Sequence, residues 1–178
     1  MRVENMKVQD VKKIVLSPFF DMRGNFTKIY NDEVYREIGI EFVLKEQYIS
    51  NSSKGVIRGM HFQLPPYDCD KLVTVLNGSV LDVVLDLRKS SPTYLQWVEV
   101  FLDVKKPEAL FIPKGCAHGF LAMEDNTSML YNVSASYKPE CDTGIRWDSF
   151  GYDWKESDPI ISGRDCSLTA LAQFQTPF

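Results

Sequence analysis

At 178 residues with 44% hydrophobic side chains, the chain is long enough to build a real core, and residues 1–178 are read as one domain. A formal charge of −4, from 24 acidic and 20 basic residues, argues against nucleic acid and anionic membrane as partners. No apolar run approaches the roughly 20 residues of a membrane span, no secretory signal opens the chain, and four cysteines without CxxC spacing fit a reduced, cytoplasmic protein.

In chain order, Asn31 or Asp32 is placed to cap a short helix that ends at Gly39. Strands then dominate. Lys71 to Leu76 is a first short strand, and the turn pair Asn77-Gly78 leads on to a second, Leu81 to Leu87. That second run alternates, with Asp82, Val84 and Asp86 on one face and leucines and a valine on the other. Tyr94 to Val104 is long, aromatic and β-branched, and reads as another strand; Ala109 to Ile112 and Ser128 to Val133 complete the series. Turn signals at Ser91-Pro92, Lys106-Pro107 and Asp125-Asn126 separate them. Cys166 to Gln173 reads as a second helix. Many strands and few helices predict an all-β sandwich or barrel, with a jelly roll among the options.

Only two histidines occur, both in glycine-flanked stretches: Arg58-Gly59-Met60-His61-Phe62-Gln63 and Pro113-Lys114-Gly115-Cys116-Ala117-His118-Gly119-Phe120. An imidazole takes and gives protons near neutrality, so such a setting suggests a site. Two imidazoles exclude a three-histidine metal set; two histidines with one carboxylate remain the metal alternative to a metal-free pocket. Lys71, Asp82, Tyr131 and Asp165 supply the remaining parts for proton transfer beside a carbonyl: a base, a cation for the enolate oxygen and an acid to return the proton. Each has a plainer reading. Lys71 fits a solvated strand edge, Tyr131 a core aromatic and Asp165 the cap of the last helix.

The stretches Asp21-Met22-Arg23-Gly24, Gly55-Val56-Ile57-Arg58-Gly59-Met60-His61-Phe62-Gln63, Lys71-Leu72-Val73, Asp82 to Lys89, Ser91-Pro92-Thr93-Tyr94 and Ile112 to Phe120 fall in one order. Gly144-Ile145-Arg146-Trp147-Asp148 and Ile161-Ser162-Gly163-Arg164-Asp165 follow them. On these residues, from about Ser17 to Asp165, the chain resembles the nucleotide-sugar 3,5-epimerase family typified by dTDP-4-dehydrorhamnose 3,5-epimerase. The resemblance implies a cupin-type jelly roll with a few short helices, a homodimer, and catalysis without metal or cofactor. It also implies that Met1 to Leu16 supplies an exchanged strand across the dimer. By the same resemblance His61 is the base that removes protons at C5 and C3 of a 4-keto sugar, Asp165 its carboxylate partner and Tyr131 the opposite-face acid. Lys71 stands beside the C4 oxygen, with Asp82 close to it. Arg23, Arg58, His118 and Arg164 match positions that bind the nucleotide-sugar, chiefly at its diphosphate; Tyr137 matches an aromatic stacked on the base, and Asp142 a nearby acid.

Three residues depart from the family pattern: Lys28 stands for glutamate, Glu46 for glutamine and Tyr48 for asparagine. Either Lys28 and Glu46 pair with each other, or the swap changes nucleobase preference from dTDP toward CDP or GDP, because a glutamate accepts from an exocyclic amino group. Inversion at one centre only, a 3,4-ketoisomerase, and a non-catalytic sugar-binding cupin are the competing functions.

Overall fold

A computed structural model describes Met1–Phe178. In chain order its elements are β1 (Arg2–Asn5), β2 (Lys12–Val15), β3 (Phe19–Asp21), β4 (Gly24–Phe26), α1 (Asp32–Glu37), β5 (Glu46–Ser52), β6 (Ile57–Gln63), β7 (Lys71–Asn77) and β8 (Ser79–Asp86). There follow β9 (Trp97–Asp103), β10 (Glu108–Ile112), β11 (Cys116–Ala122), β12 (Thr127–Val133), β13 (Asp142–Gly144), α2 (Gly163–Cys166) and a 3-10 turn at Leu171–Gln173. One sheet runs β1-β2-β10-β7-β12-β5, a second β13-β6-β11-β8-β9, and β3-β4 form a separate hairpin. Every neighbouring pair of strands is antiparallel. Two antiparallel sheets face to face make the jelly roll expected from the strand count.

Three apolar layers hold it. Between the sheets lie Val73, Val84, Leu110, Phe120 and Met129, all buried. Outside the five-stranded sheet, Ile57, Leu81, Val83 and Leu85 pack under Ile145, Tyr152 and Trp154 from the chain's last third. Outside the six-stranded sheet, Ile14, Leu72, Ala109 and Phe111 are covered by Tyr35 of α1 and by Ile40 and Phe42 after it. Each large side chain fully buried this way contributes about 1.5–3 kcal/mol. The alternation of β8 now has a meaning: Asp82 and Val84 point between the sheets, so the acidic face is interior, while Leu81, Val83 and Leu85 pack outward.

Several expectations need correction. The strand predicted from Tyr94 begins at Trp97, because Asp86 Oδ2 accepts hydrogen bonds from the Ser91 and Thr93 hydroxyls at 2.6 and 2.7 Å. Leu95 takes a φ of 61° in the turn that results. The helix predicted over Cys166–Gln173 is not continuous: α2 ends at Cys166, and Thr169 is drawn into a parallel bridge with Ile145 before the 3-10 turn. β1 and β2 pair within the chain's own six-stranded sheet, with Ile14 fully buried there. The first helix stands as expected, its Asn31 side chain accepting from Val34 N.

Candidate active site

The site lies between the sheets. β6 and β11 from the five-stranded sheet bring His61 and His118 into register as direct partners. β7 and β12 from the facing sheet bring Lys71 and Tyr131. Glycine makes the strand approach possible, since a Cβ on Gly59, at φ +148°, would sit 2.5 Å from Gly119 Cα.

His61 Nε2 lies 2.7 Å from Asp165 Oδ1. Asp165 does not cap α2. Ser162 does, its hydroxyl accepting from Asp165 N at 3.1 Å, which frees the carboxylate to reach β6. Asp165 Oδ2 also accepts from Gly59 N at 3.3 Å. Burial pushes this carboxyl up, but the hydrogen bond and charge of His61, the Gly59 amide and Arg164 outweigh it and hold it below the usual carboxylate range. An ionised Asp165 fixes the imidazole with Nε2–H as donor, so Nδ1 is the nitrogen free to accept a proton.

Tyr131 is buried on the opposite wall, and desolvation raises its pKa, opposed by the Ser50 hydroxyl and Arg58. The phenol therefore stays protonated near neutrality. Lys71 is not an edge residue: it is buried on a central strand, and its Nζ donates to the His61 carbonyl at 2.9 Å. Burial lowers its pKa, while Cys69, Asp142 and Asp82 raise it in part. His118 Nε2 lies 2.9 Å from Asp82 Oδ2, both side chains almost wholly buried, and desolvation lowers the histidine's pKa despite the carboxylate.

Two cavities meet here. An inner chamber of ≈ 180 Å³ is lined by Tyr48, Ser50, Arg58, His61, Lys71, His118 and Tyr131. An outer pocket of ≈ 310 Å³ includes Glu46, Tyr137, Asp142 and Arg164. Arg58 is held in place by Ser52 Oγ at 3.0 Å and the Asn51 carbonyl at 2.9 Å. Arg164 pairs with Asp142 at 2.7 Å. Glu46 does not pair with Lys28; its Oε2 accepts from Tyr137 N at 2.8 Å, and Lys28 is exposed with no ion pair. Arg23 also lies outside both cavities, bound to Asp21 at 2.6 Å on the β3–β4 hairpin. Ser50 was missed from the sequence, although it sits two residues beyond Tyr48 and four beyond Glu46, the period of one strand face.

A barrel that sets an oriented imidazole on one sheet opposite a buried phenol on the other defines an enzyme of the acid–base class. The family model for dTDP-4-dehydrorhamnose 3,5-epimerase matches residues 5–173. The chain belongs to this family of isomerases, which are cupin-type jelly rolls. It is 40% identical over 167 residues to the dTDP-4-dehydrorhamnose 3,5-epimerase of Methanothermobacter thermautotrophicus, covering 90% of each chain. To the enzyme of that name from Shigella flexneri it is 37% identical over 168 residues, covering 93% of each. Among solved structures, the Bacillus anthracis enzyme with TDP and PPi bound superposes with a TM-score of 0.93 at 35% identity, covering 96% of this chain and 99% of that one. The Legionella pneumophila enzyme in complex with dTDP-4-keto-L-rhamnose gives 0.93 at 32% identity, covering 98% and 94%.

Proposed function

We propose that this chain inverts C3 and C5 of dTDP-4-dehydro-6-deoxy-D-glucose, yielding dTDP-4-dehydro-L-rhamnose for deoxysugar synthesis. The observation that carries the reading is the His61–Asp165 pair opening into the same chamber as Tyr131 and Lys71. The ligands named for the Bacillus and Legionella enzymes support the nucleotide and the sugar. The 4-keto group acidifies both neighbouring C–H bonds. His61 Nδ1 takes the proton from C5 and, in a second cycle, from C3, while the Lys71 ammonium stabilises the enolate oxygen. Tyr131 delivers its phenolic proton to the other ring face; the imidazolium then loses its proton to solvent, and the tyrosinate regains one. The outer pocket takes the nucleotide, with Arg164 there and Arg58 from the inner chamber offering planar forks to the diphosphate, and Tyr137 an aromatic face to the base.

The whole chain acts in this reading as one cupin-type domain, and as a homodimer in the cytoplasm. Four free thiols fit a reducing compartment, and no helix is long and apolar enough to cross a membrane. The β3–β4 hairpin leaves Phe19, Phe20, Met22 and Phe26 exposed around Arg23, an apolar surface that supports burial against a second copy. Such a contact gives Arg23 and Lys28 a way to reach a partner's outer pocket. Sedimentation checks the dimer, and a monomer at working concentration removes it. The reaction is tested by incubating the 4-keto sugar nucleotide with enzyme in deuterated water. Label at both C3 and C5 with the carbonyl still at C4 is expected; binding without exchange, or a carbonyl moved to C3, overturns the assignment.

A further inference from the structure

Tyr48 stands where the family pattern has asparagine, and its place in the fold connects the two cavities. Glu46, Tyr48 and Ser50 share one face of β5 and line, in that order, the outer pocket, both cavities and the inner chamber. Only Tyr48, His61 and Lys71 line both spaces, so the tyrosine ring forms a side of the neck between them. Tyr48 is also the direct cross-strand partner of Tyr131. Their rings stack, centroids 4.7 Å apart and planes 14° from parallel. Tyr131 also meets the His118 ring, but only at a tilt, centroids 6.0 Å apart at 64°. The stacked contact is therefore the flat surface that fixes the rotation of the phenol.

We infer that Tyr48 is a positioning residue that holds the Tyr131 ring by stacking and closes the neck of the sugar chamber, so that proton removal leads to inversion rather than to return of a proton on the original face. The inference rests on the epimerase reading above. With the stack removed, His61 still abstracts the proton and exchanges it with solvent, but the acid on the far wall loses its fixed pose. An acid out of place by an ångström loses far more rate than a base left untouched.

The test follows the 4-keto sugar nucleotide in deuterated water and compares label gained without inversion with label gained on inversion. Tyr48→Ala is expected to raise that ratio about tenfold or more, whereas Tyr48→Phe, which keeps the ring, holds the native ratio whatever becomes of KM. Melting curves establish that each variant is folded; should Tyr48→Ala fail to fold, Tyr48→Leu, bulky but not flat, carries the same expectation. A native ratio in the folded Ala or Leu variant overturns the inference, as does a Phe variant that shifts as far as Ala. Native enzyme that neither exchanges nor inverts overturns the reaction itself, and the inference with it.

Discussion

Both histidines hold one aspartate through Nε2, at 2.7 Å for His61–Asp165 and 2.9 Å for His118–Asp82, and they are register partners on adjacent strands. What separates them is access to water. The His61 side chain is 27% exposed over an Asp165 that is 5% exposed, whereas His118 and Asp82 are at 3% and 0%. At the first pair the hydrogen bonds outweigh burial and hold the carboxyl below its usual range. At the second, burial outweighs the carboxylate and keeps the imidazole neutral. The same two side chains thus give a water-accessible imidazole in one place and a buried strut in the other. Role follows from solvation and from what faces the free ring nitrogen, not from the pairing itself.

Substitutions sharpen the contrast. His61→Ala should cost about 10²–10⁴-fold in kcat by removing the base of the proposed reaction, with only a modest fall in melting temperature, because water reaches this site and Asp165 keeps the Gly59 amide as a donor. Steady-state kinetics beside a thermal melt reads both. His118→Ala should weigh more heavily on stability, destabilising the protein by about 1–3 kcal/mol by leaving buried Asp82 without its hydrogen-bond partner. Urea titration measures it, and an equal stability loss at both histidines would break the comparison. Smaller again is Asp165→Asn, which keeps the shape but weakens the base; about 10–100-fold in kcat is expected, with KM nearly unmoved.

The parts of this arrangement that were legible in the sequence are those governed by local pattern. The alternation through Asp82, Val84 and Asp86 reported a strand with an unusual acidic face, and Asn31 reported a helix start. What stayed hidden depends on distant partners. β5 and β6 carry Glu46, Gln47, Ser50, Arg58 and Gly59, too polar and glycine-containing to look like strands, because their inner faces line a chamber rather than a core. Asp165 looked like a helix cap until Ser162 was seen to do that work. Family resemblance supplied the candidate residues; which of them converge came from the fold, which brings His61, Lys71 and Tyr131 together and leaves Arg23 and Lys28 on or beside the hairpin.

Acid provides the mildest probe of the two pairs. His118 has a folded pKa below its ordinary value of 6.5, mainly through burial. Between that lowered value and 6.5 the unfolded chain binds a proton that the folded chain does not, so stability rises with pH across this window and is lost as pH falls through it. The slope from this one group approaches about 1.4 kcal/mol per pH unit at most. Asp165, held low, acts in a more acidic window: its contribution is complete above the ordinary value of 3.8 and disappears only as pH drops below that. Denaturant midpoints collected from pH 7.5 downward should therefore begin to fall near 6.5 in the native chain, and His118→Gln should flatten that first decline while leaving the more acidic one in place. A decline near 6.5 that survives the Gln substitution would mean that the buried imidazole is not the group being titrated, and that the two pairs differ less in solvation than their geometry indicates.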